Sequence, residues 1–319
     1  MSRWRWLSFV LLMQASCVLA SCLLAGCVSP SSRFSPGSQP SSSPETTPSS
    51  RLLKPVEDAI LFQPTRFPEG HWDPPDLPRE DAWFTADDGT RLHGWFCQAE
   101  RPRAVMLLCH GNAGNVSNCY WPLKFYREKL KVTVMAFDYR GYGRSEGKPS
   151  EHGILADARA ARRWLSRRTG VAEKDIVLSG FSLGGAVAVD LAAKDGARGL
   201  VLQSTFTSVP EVAAKRTHLA STASLMTAQL NSLELIGKYK GPLLQTHGDG
   251  DRIIPFALGK KLFAAANEPK QFIPVKGGGH NSPPSMEFLR ALNEFLDALP
   301  TTTRLDAQGH GFIGKQLTP

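Results

Sequence analysis

Asp175 to Leu191 reads DIVLSGFSLGGAVAVDL. Ile176, Val177 and Leu178 form a short apolar, β-prone run, Ser179 to Gly185 is small and turn-forming, and the Ala/Val-rich segment beyond suits a buried helix. The predicted unit is a strand, a sharp turn and a helix, with Ser182 at the apex. So tight a turn puts its central residue in strained backbone geometry with the hydroxyl projecting, and small neighbours let strand and helix close on each other. The pattern Gly-x-Ser-x-Gly alone decides little, because Gly143-Arg144-Ser145-Glu146-Gly147 matches it as well. Ser145 follows a loop, and Pro149 pushes Lys148 out of helical geometry, so no helix starts there. Ser182 is therefore the candidate nucleophile, and Ser145 is expected to be a solvated loop hydroxyl.

Outward from this unit, strands and helices alternate. Ala82 to Thr85 and Arg91 to Cys97 read as a hairpin across Asp87-Asp88-Gly89-Thr90. Ala104 to Cys109 (AVMLLC) and Val132 to Phe137 are continuous apolar runs of the kind found in strands buried on both faces. Helical spacing runs from about Val116 to Lys129 and from His152 to Arg168. Beyond the Ser182 unit come a strand at Gly199 to Gln203 and a helical stretch from about Val209 to Ile236. Two β-α pairs follow, Pro242 to Thr246 with Phe256 to Ala266 and Gln271 to Val275 with Ser285 to Leu299. The predicted fold is α/β, a mostly parallel eight-stranded sheet flanked by helices, with function at the carboxyl ends of the strands. No ordered element is expected after Thr301.

A serine becomes nucleophilic at neutral pH when a base takes its proton, and the base needs an orienting acid. His280 follows the last predicted strand on the glycine-rich loop Lys276 to Gly279, a placement that lets it swing to the serine. After the preceding strand, His247-Gly248-Asp249-Gly250-Asp251 offers two acids, Asp249 and Asp251. Ser204-Thr205, after the strand before that, cannot serve as a carboxylate. An oxyanion requires preorganised backbone N–H donors. Leu183, directly after the nucleophile, supplies one, and the loop His110-Gly111-Asn112-Ala113-Gly114-Asn115 is placed to supply the other. His110 is expected to buttress that loop.

HGNAGN, FDYRGYGRSEG, GFSLGG, the short helical insertion and HGDGDRIIP occur in that order. Over about Leu52 to Leu299 they resemble the small-capped serine α/β hydrolases, a group that includes protein depalmitoylases and chains labelled serine-aminopeptidase-like. The resemblance implies the α/β-hydrolase fold and an acyl-Ser182 intermediate. Its H-G-x-x-D-x-x-V/I-P pattern implies Asp251 as the acid and Asp249 as a solvated turn residue. It implies the amide of Asn112 as the second oxyanion donor, with Ala113 the second choice, and a structural role for Asp138 to Ser145. It also implies a cap at about 206–236, with Leu219, Leu225, Met226 and Leu230 over an acyl pocket; ordinary helix packing explains these residues equally well. The implied substrate is a small acyl ester or thioester. A serine peptidase remains the alternative, needing an acidic group for a substrate amine such as Asp249 or Glu211, and a catalytically idle binding module is the third reading.

The ends of the chain concern location. Met1 to Trp6 carries two arginines, Leu7 to Leu24 is apolar and uncharged, and small residues follow. Leu24-Ala25-Gly26-Cys27 resembles the lipobox of bacterial lipoproteins, which implies cleavage before Cys27 and acylation of its sulfur; an uncleaved signal anchor is the competing reading. The expected organisation is a signal peptide over 1–26, an acylated Cys27 and Ser/Pro-rich tether over 27–54, the hydrolase domain over 55–300 and a tail over 301–319. The implied location is a bacterial membrane, expected to be the outer membrane facing the periplasm, with the lipid bilayer as partner through Cys27. The formal charge is +8, but Arg159, Arg162, Arg163, Arg167 and Arg168 share one predicted helix as a solvated face. No aromatic-interleaved basic groove accompanies them, which argues against nucleic-acid binding and leaves weak attraction to anionic membranes. Of the six cysteines, Cys97, Cys109 and Cys119 stay in the domain as buried thiols or with Cys109 paired to Cys119. No spacing suggests a metal or cofactor site, and no feature speaks to oligomeric state.

Overall fold

The apolar runs pair into one sheet of eight strands. The computed structural model describes residue 58, residues 61–217 and 226–300, and the backbone of 303–305 and 311–313. The signal, Cys27 and the tether lie outside the described residues, as do Leu219 and Leu225. A compact unit begins at Leu61.

The strands are β1 (Glu80–Thr85), β2 (Arg91–Cys97), β3 (Ala104–Cys109), β4 (Val132–Phe137), β5 (Val177–Phe181), β6 (Gly199–Gln203), β7 (Leu243–Gly248) and β8 (Lys270–Val275). Their spatial order is β8-β7-β6-β5-β3-β4-β2-β1. Only the β1–β2 and β2–β4 pairs are antiparallel; the other five pairings are parallel. The expectation of a mostly parallel eight-stranded sheet agrees with this.

Helices cover both faces. They are α1 (Tyr120–Glu128), α2 (Glu151–Thr169), α3 (Leu183–Asp195), α4 (Val209–Thr217), α5 (Ser232–Ile236), α6 (Phe256–Ala265) and α7 (Met286–Asp297). Alternate strand residues point to opposite faces. Leu107, Met135, Leu178 and Leu200 accordingly join Ile154, Leu165, Val187 and Leu191 of α2 and α3 in one buried cluster. Met106, Val134, Val177 and Leu244 join Leu123 and Tyr126 of α1 and Phe288 and Leu292 of α7 in the other. The strands are buried on both faces, which is why they read as continuous apolar runs. Ser150 opens α2 by accepting a hydrogen bond from the Gly153 amide, and Gly170 closes it in left-handed geometry.

Four expectations need correction. Arg167 apart, which stays exposed, the arginines of α2 do not form a free solvated face: Arg159 pairs with Asp190 and Asp195, Arg162 with Glu173, Arg163 with Asp87 and Arg168 with Glu80. Their charge is spent on neighbouring elements, which weakens the case for attraction to anionic surfaces. The Val209 to Ile236 stretch is not one helix: α4 is described as far as Thr217, residues 226–231 are not helical, and α5 begins at Ser232. Between them the Glu151 carboxylate accepts the Gln229 and Leu230 amides at 2.7 and 2.8 Å, and Ala228 and Leu230 are buried in the α2–α3 cluster. This half of the insertion is core packing. In the tail, where no element is expected, Thr303–Leu305 and Gly311–Ile313 pair antiparallel. Finally, β7 runs two residues beyond Thr246, because Val275 pairs with Gly248.

Cys97, Cys109 and Cys119 are free and buried. Burial pushes the thiols of Cys97 and Cys109 up to about 12 and Cys119 higher still, so none is a thiolate near neutral pH.

Candidate active site

Ser182 sits between β5 and α3 with φ 53° and ψ −118°, the left-handed region that costs a non-glycine residue of order 1–3 kcal/mol. Three hydrogen bonds hold it there. Its N–H donates to the Gln203 carbonyl, and its own carbonyl accepts from the Gly185 amide and the Thr205 hydroxyl, all at 2.9 Å. A Cβ at Gly180 would lie 2.3 Å from the Gly184 carbonyl oxygen, so the glycines permit the strand–helix contact that the turn requires.

The loops after β7 and β8 bring two further groups to this serine. The Ser182 hydroxyl is 3.0 Å from His280 Nε2, and His280 Nδ1 is 2.7 Å from Asp251 Oδ2. With Nδ1–H donating to the carboxylate, Nε2 is the acceptor for the serine proton. The Phe181 ring packs at 5.1 Å on the imidazole and fixes its plane. Asp251 is buried; burial alone would push its carboxyl up, but hydrogen bonds from His247, His280 and the Ile254 amide hold it well below the usual carboxylate range. Asp249, the other acid, is exposed and accepts the Gly277 amide at 2.6 Å. It fastens the His280 loop, as does the Gly250 amide on the Gly278 carbonyl at 2.9 Å.

On the opposite side, Leu183 is the first residue of α3, where a helix leaves its N–H groups without intrahelical partners. The Asn112 amide donates to no group among the described residues. The Asn112 side chain is fixed by the Gln63 amide and the Tyr142 hydroxyl, both at 3.0 Å from Oδ1. His110 buttresses the loop as expected: its Nδ1 is 2.7 Å from the Gly111 carbonyl, its ring lies against Tyr139 and Tyr142, and burial holds it below the ordinary imidazole value. The arrangement can accept a serine proton, carry it as an imidazolium beside an ionised carboxylate and offer N–H groups to an oxyanion. Beside the His280 ring opens a small groove lined in part by Gln203, Ser204, Thr246 and Ser282.

Ser145 is not the solvated hydroxyl expected of it. It is 3 % exposed, donates to the Asp138 carbonyl at 2.7 Å and accepts the His93 amide at 2.9 Å. Asp138 in turn accepts the Val116 amide at 2.7 Å, so this loop braces the chain just beyond His110 to Asn115, in keeping with its expected structural part. Two residues escaped the sequence reading. Thr205 holds the Ser182 carbonyl, and its only signal was its place directly after a strand end beside the serine. His247 lies 3.2 Å from Asp251 Oδ2 through Nε2; a histidine directly after a predicted strand and four residues before the acid was the available signal.

Comparison with known proteins agrees with the fold. Residues 106–236 match the profile of the Alpha/beta hydrolase family. The uncharacterized protein Rv2307c of Mycobacterium tuberculosis is 40% identical over 221 residues, covering 68% of this chain and 78% of that one. Alpha/beta hydrolase domain-containing protein 17B of Homo sapiens is 32% identical over 218 residues, covering 65% and 72%. Among solved structures, the Pyrococcus furiosus esterase Pf2001 superposes with a TM-score of 0.62 at 21% identity, covering 74% of this chain and 99% of that one; at that identity the likeness concerns the fold. On the strand order, the sequence profile and these relatives, the chain belongs to the alpha/beta hydrolase family.

Proposed function

We propose that this protein is a serine hydrolase that cleaves carboxylic esters or thioesters through an acyl-Ser182 intermediate. The observation that carries the reading is the unbroken hydrogen-bonded series Ser182–His280–Asp251 at 3.0 and 2.7 Å. Ser182 Oγ attacks the acyl carbon as His280 Nε2 takes its proton, and the imidazolium formed is held by the ionised Asp251. The Leu183 and Asn112 amides receive the negative charge on the carbonyl oxygen. Collapse expels the alcohol or thiol, which leaves with the proton from His280. Water then repeats the sequence on the acyl-serine and releases the carboxylic acid.

The peptidase alternative loses support from the acids named for it. Glu211 already accepts from the Thr207 hydroxyl and from Lys261, and Asp249 from the Gly277 amide, so neither stands ready for a substrate amine. A series of p-nitrophenyl esters of increasing acyl length, run beside aminoacyl amides, tests this: turnover of esters over amides is expected, and preference for amides would overturn the ester reading. The kcat/KM of the ester should fall with a one-proton slope on acidification, as the base that takes the Ser182 proton becomes protonated. A depressed acid pKa keeps its stabilisation above the ordinary carboxylate range and loses it only as pH falls through the lowered value, so Asp251 adds no second proton to that limb.

The same proposal places the enzyme at a membrane, tethered by an acylated Cys27 and exported by residues 1–26. Two acyl chains suffice for stable anchoring where one is marginal. Metabolic labelling with a fatty-acid probe is expected for the wild-type chain and lost in Cys27→Ala; equal labelling of both would remove the tether from the proposal.

A further inference from the structure

The loop that carries the acid holds a second imidazole on the same carboxylate. His247, at the end of β7, is fully buried. Its Nε2 lies 3.0 Å from the Ile254 carbonyl and 3.2 Å from Asp251 Oδ2. Both neighbours are acceptors, so Nε2 carries the proton and donates to both. The other ring nitrogen, Nδ1, has no hydrogen-bond partner in the structure and faces Gly259 of α6, where a Cβ would come within 2.2 Å of it. A proton on Nδ1 would be a buried donor with nothing to receive it, which costs about 1–3 kcal/mol. The geometry thereby selects the Nε2–H tautomer of His247.

Asp251 consequently has four N–H donors. Oδ1 accepts the Ile253 and Ile254 amides, each at 2.8 Å, while Oδ2 accepts His280 at 2.7 Å and His247 beside it. Those of Ile253, Ile254 and His247 come from the acid's own loop and strand end. They hold the carboxylate in place independently of His280, so its aim survives while His280 gains and loses a proton. We infer that His247 is a positioning residue of the reaction: through Nε2–H it aims Asp251 Oδ2 at His280 and shares the negative charge of that oxygen. This rests on the serine-hydrolase reading above.

The other charged groups facing the pair are Arg216 at the end of α4, which donates to the Ile253 carbonyl at 3.2 Å, and Lys260 of α6, which lies over the Phe256 ring that packs on His247. Losing the His247 donor leaves more negative charge on Oδ2 for the His280 imidazolium, so the acid limb of the rate profile should move to higher pH. The acid, held by one donor fewer, should also hold His280 less accurately.

The test compares two polar substitutions of similar burial. The side-chain amide of Gln can place an N–H where Nε2 stands, whereas that of Asn is too short and reaches only the Nδ1 position. His247→Asn is expected to lower kcat on a short-chain p-nitrophenyl ester about tenfold with KM within twofold, and to move the acid limb up by about half a pH unit or more, one unit being 1.36 kcal/mol. His247→Gln should restore the wild-type limb and most of kcat. The pH dependence of the fluorophosphonate labelling rate gives the same comparison without turnover. Equal behaviour of the two variants, both impaired or both unimpaired, would overturn the role while leaving the hydrolase reading intact. A folded wild type that neither turns over ester nor reacts with the probe would overturn both. Thermal denaturation of each variant identifies a fold defect, and a His247→Asn chain that unfolds while His247→Gln matches wild type in stability but not in pH limb also counts against the role.

Discussion

Ser182→Ala is expected to lower ester turnover by about 10⁴-fold or more and to abolish labelling by a fluorophosphonate, while Ser145→Ala keeps both. Removing a triad nucleophile leaves only the rate supplied by binding and the oxyanion donors, and here Ser182 is the only hydroxyl among the described residues that is hydrogen-bonded to the His280 ring. Ser145 faces the main chain: without its hydroxyl, the buried His93 amide and Asp138 carbonyl each lose a partner. That change costs stability, about 1–3 kcal/mol, and appears as a lower melting temperature with kcat little changed. The two serines, alike in their five-letter surroundings, should therefore separate cleanly, one in activity and the other in stability. Labelling that survives Ser182→Ala would place the nucleophile elsewhere and remove the proposed mechanism.

The fold was legible because its strands are buried on both faces: AVMLLC and VTVMAF read as strands without help from any other part of the chain, and β6 falls on the residues expected for it. Ser182 and His280 were legible because each follows a strand, whereas the strand order left Asp249 and Asp251 both open and only the resemblance to the H-G-x-x-D-x-x-V/I-P pattern separated them. What escaped depends on partners distant in sequence. The end of β7 is His247-Gly248, too polar to look like a continuation of an apolar run, and it is strand because β8 pairs with it. Ser145 looked solvated because loops usually are; its burial comes from His93, 52 residues away, whose amide it accepts. The break in the insertion was hidden for the same reason. Gln229 and Leu230 have nothing in their own composition that forbids a helix, and they are held out of one by a carboxylate 78 and 79 residues earlier.

Gly184→Ala should be the most damaging single-methyl change near the site, in stability and in rate together. A Cβ there would stand 2.0 Å from the Cys109 carbonyl oxygen and 2.5 Å from that of His110, both main-chain atoms with no rotamer to relieve the contact. The Cys109 end of β3 cannot retreat, because the strand lies between β4 and β5 in the sheet, and the Tyr139 hydroxyl ties the His110 carbonyl at 3.0 Å. The start of α3 must move away, or the loop after β3 must. The two proposed oxyanion donors sit one on each side of this contact, Leu183 on the helix and Asn112 on the loop, so either movement pulls them apart. Overpacking costs typically about 1–3 kcal/mol and occasionally more, a fall of roughly 2–4 °C in Tm for each kcal/mol in a domain of this size. Loss of one oxyanion donor costs about 10²–10³ in kcat. Gly237→Ala is the control: the nearest group to its Cβ would be the Ala265 carbonyl oxygen at 3.6 Å, an ordinary contact, and its φ is −66°. Calorimetry and ester kinetics on the two variants should show a lower Tm and a collapsed kcat for Gly184→Ala and neither for Gly237→Ala. A Gly184→Ala enzyme that melts lower yet turns over at the wild-type rate would mean that the Leu183 and Asn112 amides do not hold the oxyanion as a pair.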